Sequence, residues 1–166
     1  MTVWADGDSI QAEIRRLLET RCRREAERKG GLAFRLVYVA SRTIRVPSDI
    51  ELILVSPGPD AADRRIEAES RAGDIAVTRD LPLAETLAAK GLLVLNDRGE
   101  SFDLDTAKER RSVRDGALRL RQLGIIPESP RRRSWGPREL KAFADAFDRT
   151  LRKGLDGSVP VGSQGE

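Results

Sequence analysis

The sequence of 166 residues contains no histidine. This absence excludes Ser-His-Asp and Cys-His nucleophilic catalysis, acid–base catalysis by an imidazole, and the usual zinc and iron sites that depend on histidine ligands. Any chemistry that the chain performs must therefore use carboxylates, hydroxyls, lysine or arginine.

Cysteine and long apolar segments are scarce as well. The one cysteine, Cys22, cannot form an internal disulfide, which fits a reducing cytoplasm. No apolar run approaches the length of a membrane span, and no basic and then apolar secretory leader is present. We therefore expect a cytoplasmic protein without a membrane partner.

Length and composition predict a single domain. A chain of this size can bury one core of its own, and 34% of its residues are charged, as expected of a heavily solvated surface. We expect the domain to span residues 1–153, with a basic helical part over 106–153. Residues 154–166 are rich in Gly and Ser and are expected to form a disordered tail.

The stretch from Gly73 to Ala84 carries the clearest local pattern. Ile75–Val77 is a short apolar run, typical of a strand covered on both faces, and Asp80 follows where that strand ends. Pro82 suits the first turn of a following helix. A carboxylate at this end of a buried parallel strand lies where open α/β sheets bind their ligands. The other interpretation is that Asp80 only caps the helix, and these residues alone leave both open.

A second strand followed by acids stands at the N-terminus. The apolar run Val3–Ala5 is followed by Asp6, Gly7 and Asp8. If this strand and the strand before Asp80 are parallel, they end at the same edge of the sheet. Asp6, Asp8 and Asp80 would then lie close together at that edge. Crowded like charges repel and usually persist only when a cation or a shared proton offsets them. This repulsion makes a hard divalent metal ion the natural ligand.

Five apolar segments separated by helical patterns predict an α/β fold, with a parallel sheet of about five strands flanked by helices. A helical C-terminal part follows from residue 106. The connection over 41–49 is too short and polar for a full crossover helix, so the way in which it joins its two strands stays open. The expected strands are Val3–Ala5, Phe34–Ala40, Glu51–Val55, Ile75–Val77 and Leu92–Leu95.

A set of aspartates provides the candidate catalytic and metal-binding residues. Mg²⁺ and Mn²⁺ take oxygen ligands and keep several waters, and two such ions can activate a water and stabilise the leaving oxygen of a phosphodiester. Asp74 is excluded because it lies at the start of the strand that Asp80 follows. Asp60 is a candidate metal ligand only. The candidates for both roles are Asp6, Asp8, Asp63 and Asp80.

Positive charge is concentrated in the C-terminal part. Residues 1–106 carry 16 basic and 19 acidic side chains, whereas residues 107–153 carry 14 basic and 6 acidic ones. A basic segment beside an acidic half indicates a polyanionic partner such as RNA, although a solvated, arginine-rich surface explains the charge equally well. The candidate nucleic-acid-binding residues are Arg110, Arg111, Arg114, Arg131, Arg132 and Arg133.

Five motifs run in register from about Thr2 to Leu151: Asp6-Gly7-Asp8, Gly58–Asp63, Gly73–Ala84, Asn96–Glu100 and Arg110–Asp115. Together they resemble the bacterial YaiI/YqxD family, also called UPF0178 or DUF188. That family has no established biochemical function, but it is grouped with the PIN-like nucleases. The resemblance implies a PIN-like fold and hydrolysis of phosphodiester bonds, with RNA as the expected substrate and Mg²⁺ or Mn²⁺ as the cofactor. The strand-end, helix-start and Thr-x-Asp acids of those nucleases are similar to Asp6, Asp63 and Thr78-Arg79-Asp80.

Two other functions remain open. The segment Val3–Ser9 also resembles the nucleophile motif of haloacid-dehalogenase-type phosphatases, in which Asp6 would be phosphorylated and Asp8 would act as the acid. Those enzymes need a lysine and a Gly-Asp pair after a strand, whereas Gly73-Asp74 precedes its strand here. The third hypothesis is a non-catalytic RNA-binding module. It is favoured by the lack of an obvious match for a glutamate that many PIN nucleases carry in a later helix.

Overall fold

A computed structural model describes residues 1–28, 34–125 and 135–155 of the chain. Strands and helices alternate through most of it. The elements are β1 (Thr2–Asp6), α1 (Ala12–Glu27), β2 (Arg35–Ala40), β3 (Glu51–Leu54), α2 (Ala61–Glu69), β4 (Ile75–Val77), α3 (Leu81–Ala89), β5 (Leu93–Leu95), β6 (Ser101–Phe102), α4 (Leu104–Gln122) and α5 (Pro137–Leu155).

The strands form one sheet in the order β3-β2-β1-β4-β5-β6. Strands β1 to β5 are parallel, and β6 pairs with β5 in the antiparallel sense. The chain leaves β1 toward β2 and β3 and then returns to the other side of β1 as β4. The strand order therefore reverses between β1 and β4, which is the position where open α/β sheets form a crevice for ligands.

Helices cover both faces of the sheet. Because successive side chains of a strand point to opposite faces, each strand contributes residues to two cores. In β1, Val3 and Ala5 face one core, whose helical contributions come from α1 and α5 and include Phe143 and Phe147. Trp4 faces the other core, where Leu87 and other apolar residues of α2 and α3 pack. Because both faces are buried, the central strands are nearly continuous apolar runs.

The predicted α/β class is confirmed, and the differences lie in short segments. Strand β6 was not expected, since the two residues Ser101–Phe102 are too few to show a strand pattern. Residues 41–50 join β2 to β3 without a helix, and Ile44 and Val46 of this loop pack against the first core. Helix α5 continues through Leu155, so it extends two residues into the expected tail. Residues 156–166 lie outside the described part of the chain.

Helix α4 packs against α3 and β6 at one end of the sheet. The side chain of Asp103 caps it by accepting a hydrogen bond from the amide of Thr106 at 2.8 Å. Val113 and Leu118 are exposed, so the apolar residues of this helix contribute little to the core. Among the helices in the described ranges, none has both the length and the apolar character that crossing a membrane requires.

Candidate functional site

Asp6 and Thr78 meet at the carboxyl edge of the two central strands. Ala5 of β1 is in register with Val77 of β4, so the next residues, Asp6 and Thr78, lie side by side at the end of the two strands. The hydroxyl of Thr78 donates a hydrogen bond to Oδ2 of Asp6 at 2.9 Å and accepts one from the amide of Asp80 at 3.0 Å. One hydroxyl therefore joins both strand-end aspartates.

Asp80 also caps helix α3. Its Oδ1 accepts a hydrogen bond from the amide of Leu83 at 3.0 Å, and Pro82 occupies the first turn of the helix. Asp80 can therefore be both a helix cap and a ligand-binding carboxylate. One of its oxygens caps α3, and the residue lies at the same edge of the sheet as Asp6. Capping fixes the direction of the Asp80 side chain.

Asp8 is held by the turn that follows β1 and by the loop after β2. Its amide donates to Oδ1 of Asp6 at 3.2 Å, and its Oδ2 accepts from the amide of Ser41 at 2.7 Å. The other oxygen, Oδ1, is buried and has no hydrogen-bond partner. Gly7 leaves room for Ile44 beside this turn, because a β-carbon there would lie 2.7 Å from Cδ1 of Ile44. The loop and the turn thus pack directly against each other.

Asp63 reaches the same edge from the first turn of α2. Burial, and after it the negative charges of Asp6, Asp80, Asp60 and Asp8 in that order, together raise its pKa from 3.8 to about 6. Asp63 therefore lies close enough to the other four aspartates for their charges to act on its carboxyl group. Asp60 directly precedes α2 in the left-handed conformation, with φ of 55°, so it belongs to the entry turn and not to the helix.

The buried carboxylate of Asp6 has no positively charged partner among the residues that the structure describes. It is 4% exposed, and its hydrogen bonds come from the neutral hydroxyl of Thr78 and the amide of Asp8. No lysine or arginine in the described ranges forms an ion pair with it. Buried charges are normally paired or coordinate a metal ion. The site thus has the donor chemistry for a hard cation.

The aspartates do not form a closed cage. Within the residues that the structure describes, no three acidic or cysteine side chains are close enough together to hold a metal ion directly. The other aspartates can still raise the pKa of Asp63 from such distances. Charges interact over about 8–10 Å in solution, which is well beyond the distance between a metal ion and its ligand. The arrangement is open toward solvent at Asp60, which is exposed, whereas Asp63 is half-buried.

Asp74 lies at the opposite edge of the sheet, as expected. Its carboxylate accepts hydrogen bonds from the amide of Thr2 at 2.8 Å and from Nε1 of Trp4 at 3.1 Å. These contacts fasten the start of β4 to the start of β1. Asp74 is therefore a structural residue away from the candidate site.

Sequence reasoning missed an ion pair beside the site. Asp97 follows β5, is 4% exposed, and has its Oδ2 3.3 Å from Nε of Arg79. The amide of Arg79 donates to the hydroxyl of Ser9 at 3.2 Å, so Arg79 connects the turns after β1 and β5. The signal was present, since Asp97 is one more acid directly after an apolar strand.

The predicted nucleic-acid-binding arginines fall into three groups. Arg110 pairs with Glu100 at 2.5 Å and lies over the ring of Phe102, and Arg111 pairs with Glu85 at 2.8 Å. Arg114 is exposed, and no ion pair of it occurs among the described residues. Arg131, Arg132 and Arg133 lie outside the described residues, so their placement stays a prediction.

Comparison with known proteins agrees with the motifs. The model of a family described as "Uncharacterized BCR, YaiI/YqxD family" matches residues 4–153. A UPF0178 protein of Treponema pallidum is 39% identical over 92% of this chain and 82% of its own length. One of Bordetella avium is 37% identical over 96% of this chain and 100% of its own, and one of Treponema denticola is 35% identical over 93% and 94%. No solved structure matches. Since the family model and these bacterial relatives cover nearly the whole sequence, the chain belongs to the uncharacterised YaiI/YqxD family, UPF0178.

Proposed function

We propose that this protein is a PIN-like nuclease that uses Mg²⁺ or Mn²⁺ to hydrolyse phosphodiester bonds of single-stranded RNA. The observation that carries the proposal is Asp6, a buried carboxylate with no cationic partner among the described residues. It lies at the point where the strand order reverses, and Thr78 joins it to Asp80. A divalent cation would balance this charge at the place where a parallel sheet binds its ligand.

The donor set fits a hard cation. Every candidate ligand is a carboxylate oxygen, and Oδ1 of Asp8 is buried without a hydrogen-bond donor. Mg²⁺ keeps several waters and needs only one or two protein carboxylates together with substrate phosphate, so an open arrangement is sufficient. When bound, such a cation neutralises the charge that develops on a phosphodiester during hydrolysis. The residues that would hold it are Asp6, Asp8, Asp63 and Asp80, with Asp60 at the entrance.

The chain's own contacts keep these carboxylates in place before any ligand arrives. Thr78 fixes the orientation of Asp6, the capping bond fixes Asp80 on α3, and the amide of Ser41 fixes Asp8. Each of these carboxylates is held by a group that belongs to the sheet edge or to a helix end. Such preorganisation keeps donor groups aligned without reorganisation during the reaction.

Net charge supports RNA as the partner. The acidic edge alone would repel a polyanion, whereas residues 107–153 carry a large excess of Lys and Arg. Arg114 on α4 is exposed and has no described ion pair, so it is available for phosphate. The proposed compartment is the bacterial cytoplasm, where a lone cysteine stays reduced.

The phosphatase alternative has less support. A dehalogenase-type site needs its Gly-Asp acid next to the nucleophile, whereas Asp74 is bound to Thr2 and Trp4 at the opposite edge. A non-catalytic RNA-binding module remains an outcome of the test below.

The test is cleavage of a fluorescent single-stranded RNA in the presence of Mn²⁺. We expect the wild type to cut the RNA, and Asp6→Asn or Asp80→Asn to reduce the rate about 100-fold or more, as for loss of a group that stabilises developing charge. Asp145→Asn on α5 is the matched control, because Asp145 is an exposed aspartate paired with Lys141. It should cut at the wild-type rate.

Two results would redirect the proposal. Binding of RNA without any cleavage would indicate a binding module. Turnover of a phosphomonoester that beryllium fluoride blocks, without RNA cleavage, would indicate a phosphatase with Asp6 as its nucleophile.

A further inference from the structure

Arg42 contacts Asp8 from the loop that follows β2. Its Nη2 donates a hydrogen bond to the main-chain oxygen of Asp8 at 2.9 Å, and its Nε lies 3.5 Å from Oδ1 of the same residue. The side chain of Arg42 is 67% exposed. Arg42 is therefore a positive group beside Asp8, with most of its side chain in solvent.

The backbone that carries Arg42 is fixed against the Asp6–Asp8 turn. The neighbouring amide of Ser41 donates to Oδ2 of Asp8 at 2.7 Å. Ile44 of the same loop packs beside Gly7, where a β-carbon would lie 2.7 Å from its Cδ1. The guanidinium therefore has a short, anchored connection to the site and only its side-chain rotamers to change.

The contact between Arg42 and the Asp8 carboxylate is incomplete. Oδ1 of Asp8 is buried and lacks a hydrogen-bond partner, although Nε of Arg42 is within ion-pairing distance. Arg42 thus attracts this oxygen electrostatically but does not donate a hydrogen bond to it. A divalent cation is a better partner for such an oxygen, and it would compete with Arg42 for it.

We propose that Arg42 is a phosphate-binding residue of the site, held by Asp8 until a divalent cation displaces it. This inference depends on the proposed function. Once Asp8 binds the cation, only the hydrogen bond from Nη2 to the main-chain oxygen of Asp8 still holds the guanidinium. The guanidinium can then exchange this bond for the RNA backbone, whose phosphate matches the planar donor pair of arginine. A positive group here also offsets the repulsion between the aspartates and an incoming polyanion.

The first measurement is Mn²⁺ affinity by calorimetry for wild type, Arg42→Gln and Arg42→Lys. Removing one positive charge at about 4 Å from a ligand oxygen should tighten Mn²⁺ binding about fivefold in Arg42→Gln. Arg42→Lys keeps the charge and should change the affinity less. Arg45→Gln is the matched control, because it removes an exposed arginine of the same loop that has no described contact with Asp8. It should bind Mn²⁺ like the wild type.

The second measurement is affinity for single-stranded RNA by fluorescence anisotropy, in EDTA and in Ca²⁺, which takes the same class of oxygen ligands. In Ca²⁺ the Arg42→Gln variant should bind RNA more weakly, and the log–log salt slope should be smaller by about 0.7, which is one phosphate contact on a single strand. In EDTA the variant should bind like the wild type, since Asp8 then holds Arg42.

The outcomes separate this inference from the function on which it depends. A wild type that binds Mn²⁺ while Arg42→Gln and Arg45→Gln bind it equally well would overturn the role of Arg42 alone. Equal loss of RNA affinity in EDTA and in Ca²⁺ would also overturn it, because no displacement would then occur. A wild type that binds no Mn²⁺ at all would remove the proposed function and this inference with it.

Discussion

The hydroxyl of Thr78 donates its hydrogen to the buried carboxylate of Asp6 at 2.9 Å, across a sequence separation of 72 residues. The same oxygen accepts a hydrogen bond from the amide of Asp80. Because a carboxylate oxygen accepts hydrogen bonds, the single hydrogen of the hydroxyl is directed to Asp6, and a lone pair of the same oxygen accepts from the amide of Asp80. The threonine side chain therefore joins β1 to the start of α3 at the point where the strand order reverses.

Replacing Thr78 with Val should destabilise the protein. Valine has nearly the same shape, but the Asp6 carboxylate would lose its side-chain donor while staying buried. A hydrogen bond to a charged group contributes about 1.5–3 kcal/mol, and the free energy of unfolding should fall by about that amount. Urea unfolding in EDTA measures the change.

Thr78→Ser is the control for this prediction, since it keeps the hydroxyl and removes only a methyl group. Its stability should lie much closer to that of the wild type. Equal losses in the serine and valine variants would show that the methyl group matters and that the hydrogen bond to Asp6 does not.

Asp80 combines a negative charge with a helix cap, and two substitutions separate these contributions. Asp80→Asn keeps an acceptor for the amide of Leu83 and removes the charge, so it should melt higher than the wild type in EDTA. Asp80→Ala removes both and loses about 1 kcal/mol of capping. Melting of the two variants in EDTA and in Mg²⁺ is the measurement. Both should gain less from Mg²⁺ than the wild type does.

A different order of melting temperatures would contradict this account of Asp80. If Asp80→Asn melts below the wild type in EDTA, repulsion within the acidic site is too weak to matter. Asp80 would then act only as a helix cap.

Asp63 predicts how stability depends on pH. Burial and the neighbouring aspartates raise its pKa from 3.8 to about 6, so the folded protein holds this proton more tightly than the unfolded chain does. The stability that the proton provides is fully present below pH 3.8 and is lost as the pH rises through about 6. Asn cannot lose a proton in this range, so the Asp63→Asn variant does not lose this stability as the pH rises. In EDTA the variant should therefore be more stable than the wild type near pH 7, and the difference should disappear near pH 4.

The melting temperature should rise by about 2–4 °C for each kcal/mol relieved in a chain of this size. Asp145→Asn is the control with the opposite sign, because Lys141 lowers the pKa of Asp145 and the charged form is the stabilising one. A difference between Asp63→Asn and wild type that does not vary between pH 4 and pH 7 would rule out the raised pKa.

The positions of Asp6 and Asp80 could be predicted from the sequence because the rule behind them is local. Each residue follows a short apolar strand, and parallel strands end at a common edge. Asp74 could be excluded by the same rule, since it precedes its strand. Periodicity and strand ends therefore defined the class of fold and the edge that carries the acids.

Contacts that depend on loops could not be predicted in this way. The pairing of Arg79 with Asp97 joins residues 18 positions apart through the ends of two strands, and neither residue type reveals its partner. The contact of Arg42 with Asp8 depends on a loop of ten residues without regular structure, whose path is set by the packing of Ile44 against Gly7. Side-chain packing of this kind leaves no periodic signal.

Arg114 is the residue of α4 that tests the proposed binding of RNA by this helix. Arg114 has no ion pair among the described residues, whereas Arg110 is paired with Glu100 and lies over Phe102. We expect Arg114→Ala to weaken binding of single-stranded RNA about fivefold and to reduce the log–log salt slope by about 0.7, as for loss of one phosphate contact. The double substitution Lys141→Ala with Asp145→Ala removes an exposed ion pair of α5 without changing the net charge, and it should leave both quantities unchanged. Fluorescence anisotropy at several salt concentrations measures them. If Arg114→Ala binds with the wild-type slope, the charges of this helix belong to a solvated surface, and the RNA must contact the protein elsewhere.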